Sequence, residues 1–274
     1  MSKIRQHHGG PGVPLSVDLD PREPVLGWRS QRARMRGWLG ALPDDEWSGP
    51  TRCESWDTNN LVRHLASACQ FLGYTLHEAH QGKATTLLEG MDTRSTVEAA
   101  GAMLGDLTPA QLRALLADTD AAVDAEMDAL GPDGLLAMAE APPGHVPAYL
   151  AISHFLFDSW VHEYDLMLPR GERPQVEDRE SLVVAAYLTG LAVVLTDATV
   201  SLDIRLSEPD LRLGIWVEAG VTVVSCRSVP DDALVVEGSV VDVVDRITGR
   251  PGGVVQGNSG ALEVLDAFAR ILST

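Results

Sequence analysis

Helical periodicity dominates the chain up to Leu168, and short alternating runs take over after Val200. Residues 24–42 carry an apolar stripe at Leu26, Met35, Trp38, Leu39 and Leu42, which predicts a first helix closed by Pro43-Asp44-Asp45. A loop follows over 48–56. Asp57 or Thr58 then caps a second helix over 58–80, stopped by Gly82. A third helical region covers 93–130 and breaks near 105–109, where Thr108-Pro109 is a start signal. Gly131-Pro132 and Pro142-Pro143-Gly144 bracket a connection, and a fourth helix is expected over 147–168. Four helices joined by modest connections predict an antiparallel bundle.

Pro169 to Pro174 reads as a boundary. Beyond it, 181–196 is a nearly all-apolar helix. Strands are expected over 200–206, 211–217, 222–226, 234–237 and 253–257, and helices over 239–248 and 259–272. The expected organisation is therefore a tail over 1–22, a helical domain over 23–172 and an α+β domain over 173–274. The tail holds His7, His8 and three glycines, lacks an apolar signal core, and reads as disordered. His7 and His8 could at most bind a metal loosely.

Composition narrows the function. Of 274 residues, 39 are acidic and 21 basic, a formal net charge of −18. A nucleic-acid partner needs a local excess of Lys and Arg. The one cluster, Arg29, Arg32 and Arg36, reads as a solvated helix face. No run is long and apolar enough for a membrane span. Three cysteines (Cys53, Cys69 and Cys226) without a Cys-x-x-Cys point to a reducing cytoplasm and to small buried hydrophobes rather than nucleophiles. A small-molecule substrate fits better than a polyanion or a membrane.

The candidate chemistry lies in the fourth helix, as His154-x3-Asp158-x3-His162. Positions four apart differ by about 6 Å in rise and about 40° in direction, so Asp158 and His162 can share one ion. His154 and His162 are separated by about 12 Å of rise, too far for one ion without full leaning. A third ligand must come from another helix, and His64, on the face of Leu61, Leu65 and Ala68, is the best donor; the alternative is a buried, hydrogen-bonded histidine. His154 is then a substrate-contacting or supporting group, or a core histidine. Glu163 and Asp165 either orient a ligand imidazole or are solvated. His77, His80 and His145 read as solvated or loop residues. Two imidazoles and one carboxylate leave coordination positions open, which is a catalytic arrangement. Zinc leads among the divalent metals, with nickel, iron and manganese open.

At these residues the chain resembles the mycothiol-dependent maleylpyruvate isomerase family, within the DinB-like metalloenzymes. Thr51-Arg-Cys-Glu-Ser-Trp56 and Val62-Arg-His-Leu65 are similar to its Thr-x-Cys-x-Gly-Trp and Val-x-His-Leu patterns, and Asp158-x3-His162 to its acid-x3-His. Ser55 stands where that pattern has glycine, and Asp158 where the isomerase has the longer glutamate. Residues 233–250 and 255–262 resemble the family's sterol-carrier-like C-terminal domain. The resemblance implies a DinB-like four-helix bundle followed by an α+β sterol-carrier-like domain. It implies metal ligands His64, Asp158 and His162, and mycothiol as thiol cosubstrate. It also implies an arginine from the second domain, with Arg250 and Arg246 the candidates. Taken together, the expectation is a cytoplasmic, metal-dependent thiol transferase or isomerase, monomeric or homodimeric. A metal-dependent hydrolase or lyase using water, and a non-enzymatic binder of lipid or small molecules, are the rivals.

Overall fold

The computed structural model describes residues 6–90 and 93–272. It mixes helix and sheet. Helix α1 (Glu23–Ala41) opens on Pro24 and ends against Leu42 and Pro43. Helix α2 (Thr58–His80) is capped by Asp57, whose carboxylate accepts from the Asn60 amide at 2.8 Å. The expected third region is two helices, α3 (Thr93–Met103) and α4 (Pro109–Gly134). Thr108 and Gln111 form a reciprocal capping box at the start of α4. Helix α5 (Ala148–Met167) is buried along almost its whole length. Helices α1, α2, α4 and α5 pack against one another.

Helix α6 (Asp178–Leu195) packs on α1 and α5 with one side and on a six-stranded sheet with the other. The sheet order is β1 (Leu15–Val17), β6 (Val221–Ser225), β5 (Asp210–Glu218), β4 (Leu202–Ser207), β7 (Leu234–Gly238), β8 (Gln256–Gly257). The pairs β1–β6 and β4–β7 are parallel and the others antiparallel. Helices α7 (Val240–Ile247) and α8 (Ser259–Leu272) also pack against α6. One apolar cluster runs from Leu72 and Phe155 through Val184 and Leu188 to Ile204 and Phe268, so the helical half and the sheet half share a core across α6. A smaller cluster, including Met35, Trp47, Leu61, Leu65 and Leu166, underlies the 49–57 loop.

Three expectations change. The disordered tail over 1–22 does not hold for its described part: Val13, Leu15 and Val17 are buried, and β1 pairs with β6. Their alternation is the period of a strand with one face in the core. Residues 1–5 of that tail lie outside the described residues. The bracketed connection contains a hairpin, β2 (Met138–Ala141) and β3 (Gly144–Pro147), which places His145 in a strand, buried. The basic face of α1 is not solvated throughout. Arg32 is buried, donating to Asp120 and Ser159, and Arg36 also pairs with Asp120. Arg29 reaches Asp124 and Asp128 on α4. The buried face of α1 therefore runs through Trp28, Gln31, Arg32, Met35 and Leu39, while Leu26 is exposed. Partnered polar groups rotated the buried stripe away from the one that hydrophobicity alone marks.

Candidate metal centre

His64 on α2 and Asp158 and His162 on α5 meet where these two helices pack. His64 Nε2 lies 3.2 Å from Asp158 Oδ2, and His162 Nε2 lies 3.5 Å from Asp158 Oδ1. The ligand atoms of all three fall within 4.8 Å of one another. A tetrahedral ion with bonds of about 2.1 Å holds its donors about 3.4 Å apart. The donor set and its spacing therefore fit a small divalent ion. The two imidazoles stand edge to face, with centroids 5.0 Å apart, and the Trp56 ring sits 5.2 Å from His64. His64 and His162 are buried, and Asp158 keeps 23% of its side chain exposed.

The helix places His162 and Asp165 one turn apart, and His162 Nδ1 lies 2.9 Å from Asp165 Oδ2. Asp165 is fully buried. It accepts from Arg52 Nε at 2.8 Å, and from Arg250 Nε at 2.9 Å and Nη2 at 2.6 Å. Arg52 continues to Asp245 on α7, at 2.7 Å. A carboxylate fixed on Nδ1 turns Nε2, and its lone pair, toward Asp158 and His64. Cys53 Sγ sits 3.3 Å from the same carboxylate and 3.8 Å from His162 Nδ1. Cys53, His162 and Asp165 also have metal-ligand spacing. Two guanidiniums already neutralise Asp165, so this second group orients His162 rather than holding a cation of its own.

The electrostatics follow from the packing. Burial would raise the Asp158 carboxyl, but the His64 and His162 rings beside it hold it well below the usual carboxylate range. Burial opposes charge on His162, yet Asp158 and Asp165 push its pKa well above 6.5. Asp165, despite its burial, is held far down by His162 and Arg250. A proton and a metal ion therefore compete for His162 Nε2.

Of the residues expected at the site, His64, Asp158 and His162 come together. His154 does not join them. It is half-buried one turn before Asp158, its Nδ1 2.9 Å from the Tyr187 hydroxyl of α6, and burial pushes its pKa down to about 4. The two arginines that the resemblance offers from the second half both stand in ion pairs. Arg250 donates through Nε and Nη2 to Asp165, and Arg246 forms a two-bond pair with Asp266 on α8. Both are candidates through the family resemblance, and no sequence signal shows which carboxylate an arginine will meet. Of the two acids flanking His162, Asp165 orients it, while Glu163 faces Arg34 and Gln31. Arg52, Cys53 and Trp56 were missed as site residues. They stand in an irregular loop wound on Thr51, whose hydroxyl donates to the Trp56 carbonyl at 2.7 Å. Irregular backbone carries no periodicity to reveal them.

A pocket of about 310 Å³ opens beside His64, between α2 and α3, with Ser55, Trp56, Asn60, Arg63 and Gly101 in its wall. A larger groove of about 670 Å³ lies elsewhere, between α1, the end of α4 and the start of α6, under a rim of mixed charge. No helix among the described residues is long and apolar enough to cross a membrane.

Comparison with known proteins places these features. Residues 28–167 match the Mycothiol maleylpyruvate isomerase N-terminal domain. Two crystal structures are similar in fold: the mycothiol-dependent maleylpyruvate isomerase and a histidine-to-alanine mutant of it. The mutant is 20% identical with a TM-score of 0.64, and the other is 21% identical with a TM-score of 0.63. Each alignment covers 89% of this chain and 95% of the solved one. The search of curated proteins gave no match.

Proposed function

Because the chain belongs to the mycothiol maleylpyruvate isomerase family, we propose that it is a metal-dependent enzyme that uses mycothiol in an isomerase or transferase reaction on a small electrophilic substrate. The observation that carries this reading is the trio His64, Asp158 and His162, whose donor atoms approach to 3.2 and 3.5 Å across two helices. In this reading residues 23–172 form a DinB-like four-helix bundle and residues 173–274 a sterol-carrier-like α+β domain. The likeness of nearly the whole chain to the isomerase fold supports that division.

His64 Nε2, Asp158 and His162 Nε2 would hold the ion, zinc first among candidates. When bound there, a divalent ion stabilises a thiolate at neutral pH. The remaining tasks fall to side chains of this chain. Asp165 keeps the His162 ring in one orientation, and Arg52 and Arg250 keep Asp165 ionised and still. Arg250 thus acts through Asp165 and is a positioning residue; Arg246, tied to Asp266, has no part. His154, fixed by Tyr187 and neutral near pH 7, offers its other ring nitrogen to a substrate proton. Trp56 covers the imidazoles and limits water at the thiol. Three free cysteines accord with a reducing, cytoplasmic setting.

Elemental analysis joined to a thiol-conjugation screen tests the reading. One equivalent of divalent metal is expected, lost in His64→Ala, together with turnover that requires mycothiol. Metal-free protein overturns the metal site. Metal-dependent turnover indifferent to mycothiol overturns the thiol and favours hydrolysis by water.

A further inference from the structure

The expected carboxylate-binding arginines are both occupied by internal ion pairs, yet one guanidinium at the site is not. Arg63 immediately precedes the metal-capable His64 on α2 and lines the same 310 Å³ pocket. Its side chain is only 15% exposed. Its Nε is buried and has no hydrogen-bond partner among the described residues. Its Nη2 donates to the Gly101 carbonyl at 3.3 Å. Among the described residues, the acid paired with it is Asp106, at 3.9 Å, whose own side chain is fully exposed. Such a pair contributes little to stability and, among the described residues, compensates the charge in the pocket only weakly. Burying an unpaired guanidinium donor costs free energy that another bond must offset. Asn60, one turn earlier, adds an amide to the same wall.

We propose that Arg63 is the anion anchor of the site, its guanidinium taking the carboxylate of a small substrate that lies in the pocket beside His64. The inference rests on the metal-site reading for the position of the reacting end, but not for the anchor itself. A planar fork of N–H groups matches a carboxylate, and one cation balances one negative charge. The pocket is at the small end of ligand sites, which limits the substrate to a few carbons beyond its carboxylate. The overall charge of −18 gives an anion no general attraction to this protein, so a local cation must supply it.

The test is calorimetric titration of the full-length protein with maleate, dimethyl maleate and inorganic phosphate, on preparations of measured zinc content. Maleate is expected to bind the wild type, to lose at least tenfold in affinity in Arg63→Gln, and to lose about threefold or more in Arg63→Lys, which keeps the charge but not the fork. The neutral diester should bind weakly and show no dependence on residue 63. If Arg63→Gln fails to fold by its melting profile, Arg63→Lys decides. The proposal is overturned if the wild type ignores maleate, if the readable variant binds it as the wild type does, or if phosphate binds more tightly than maleate. Zinc uptake separates the two readings: protein that takes up no zinc yet binds maleate through Arg63 overturns the metal site alone, and Arg63-independent binding in zinc-replete protein overturns the anchor alone.

Discussion

Nδ1 of His162 lies 2.9 Å from the Oδ2 of Asp165, one turn further along α5. The contact links a candidate metal ligand to a carboxylate that two arginines from distant parts of the chain also grip. Asp165→Asn should therefore act in two ways. Metal affinity should fall about 10- to 100-fold, as when the partner of a ligand imidazole is lost. Stability should fall by about 3–5 kcal/mol, because two buried guanidiniums lose their counter-charge. Competition with a chromogenic chelator reads the first and urea unfolding the second. A variant with wild-type metal affinity would remove Asp165 from the site.

Metal uptake should depend on pH with a defined sign. Without an ion, Asp158 and Asp165 keep the proton on His162 well above pH 6.5, against the effect of burial. An ion entering at neutral pH must displace that proton. Apparent affinity should rise by about one log unit per pH unit from neutrality up to the raised pKa, and then level. Proton release at pH 7, measured by titrating metal in two buffers of different ionisation enthalpy, checks it. No release would mean that His162 is already neutral.

Tyr187 is fully buried, and its hydroxyl sits 2.9 Å from His154 Nδ1. Tyr187→Phe should lower stability by about 1 kcal/mol and leave metal content unchanged. If His154 handles a substrate proton, the same variant should lower kcat more than it raises KM. An equal effect in the metal-free protein's stability with unaltered kcat would assign His154 to the core.

The first strand is predicted to matter. Truncation through Val17 removes three buried apolar side chains from the edge of the sheet. At about 1.5–3 kcal/mol for each fully buried side chain, the loss should appear as a clear drop in melting temperature. Gly190 of α6 fits against this strand, and a Cβ there would come within 2.8 Å of Leu15 and 2.6 Å of Val224. Gly190→Ala should cost about 1–3 kcal/mol through overpacking. Truncated protein that melts with the intact chain would show β1 to be dispensable.

The sequence carried what repeats or caps. Asp57 and Thr108 announced the starts of α2 and α4, and alternation placed β4 to β7 within about two residues. His64, Asp158 and His162 were legible because helix geometry converts spacing into a shared face. Tertiary choices were not legible. Arg250 could have met a substrate, and Arg32 could have faced water; the carboxylates that claimed them stand 85 and 88 positions away. Cys53 and Trp56 needed the loop conformation before they could be placed. Leu15 and Val17 were hidden by a Gly- and His-rich neighbourhood that resembles a tail.

The clasp on Asp165 has a consequence for the order in which this protein assembles. Arg52 bonds Asp245 across 193 positions, and Arg250 bonds Asp165 across 85. Contacts of such sequence separation close late, because the entropy of the intervening chain must be lost first. Helices α2 and α5 can bring His64, Asp158 and His162 near one another early. The His162 ring acquires its fixed aim only when the last third of the chain has docked. Competence at the site thus reports completion of the whole fold, and partial unfolding around α7 should loosen the ring before it disturbs either helix that carries a ligand.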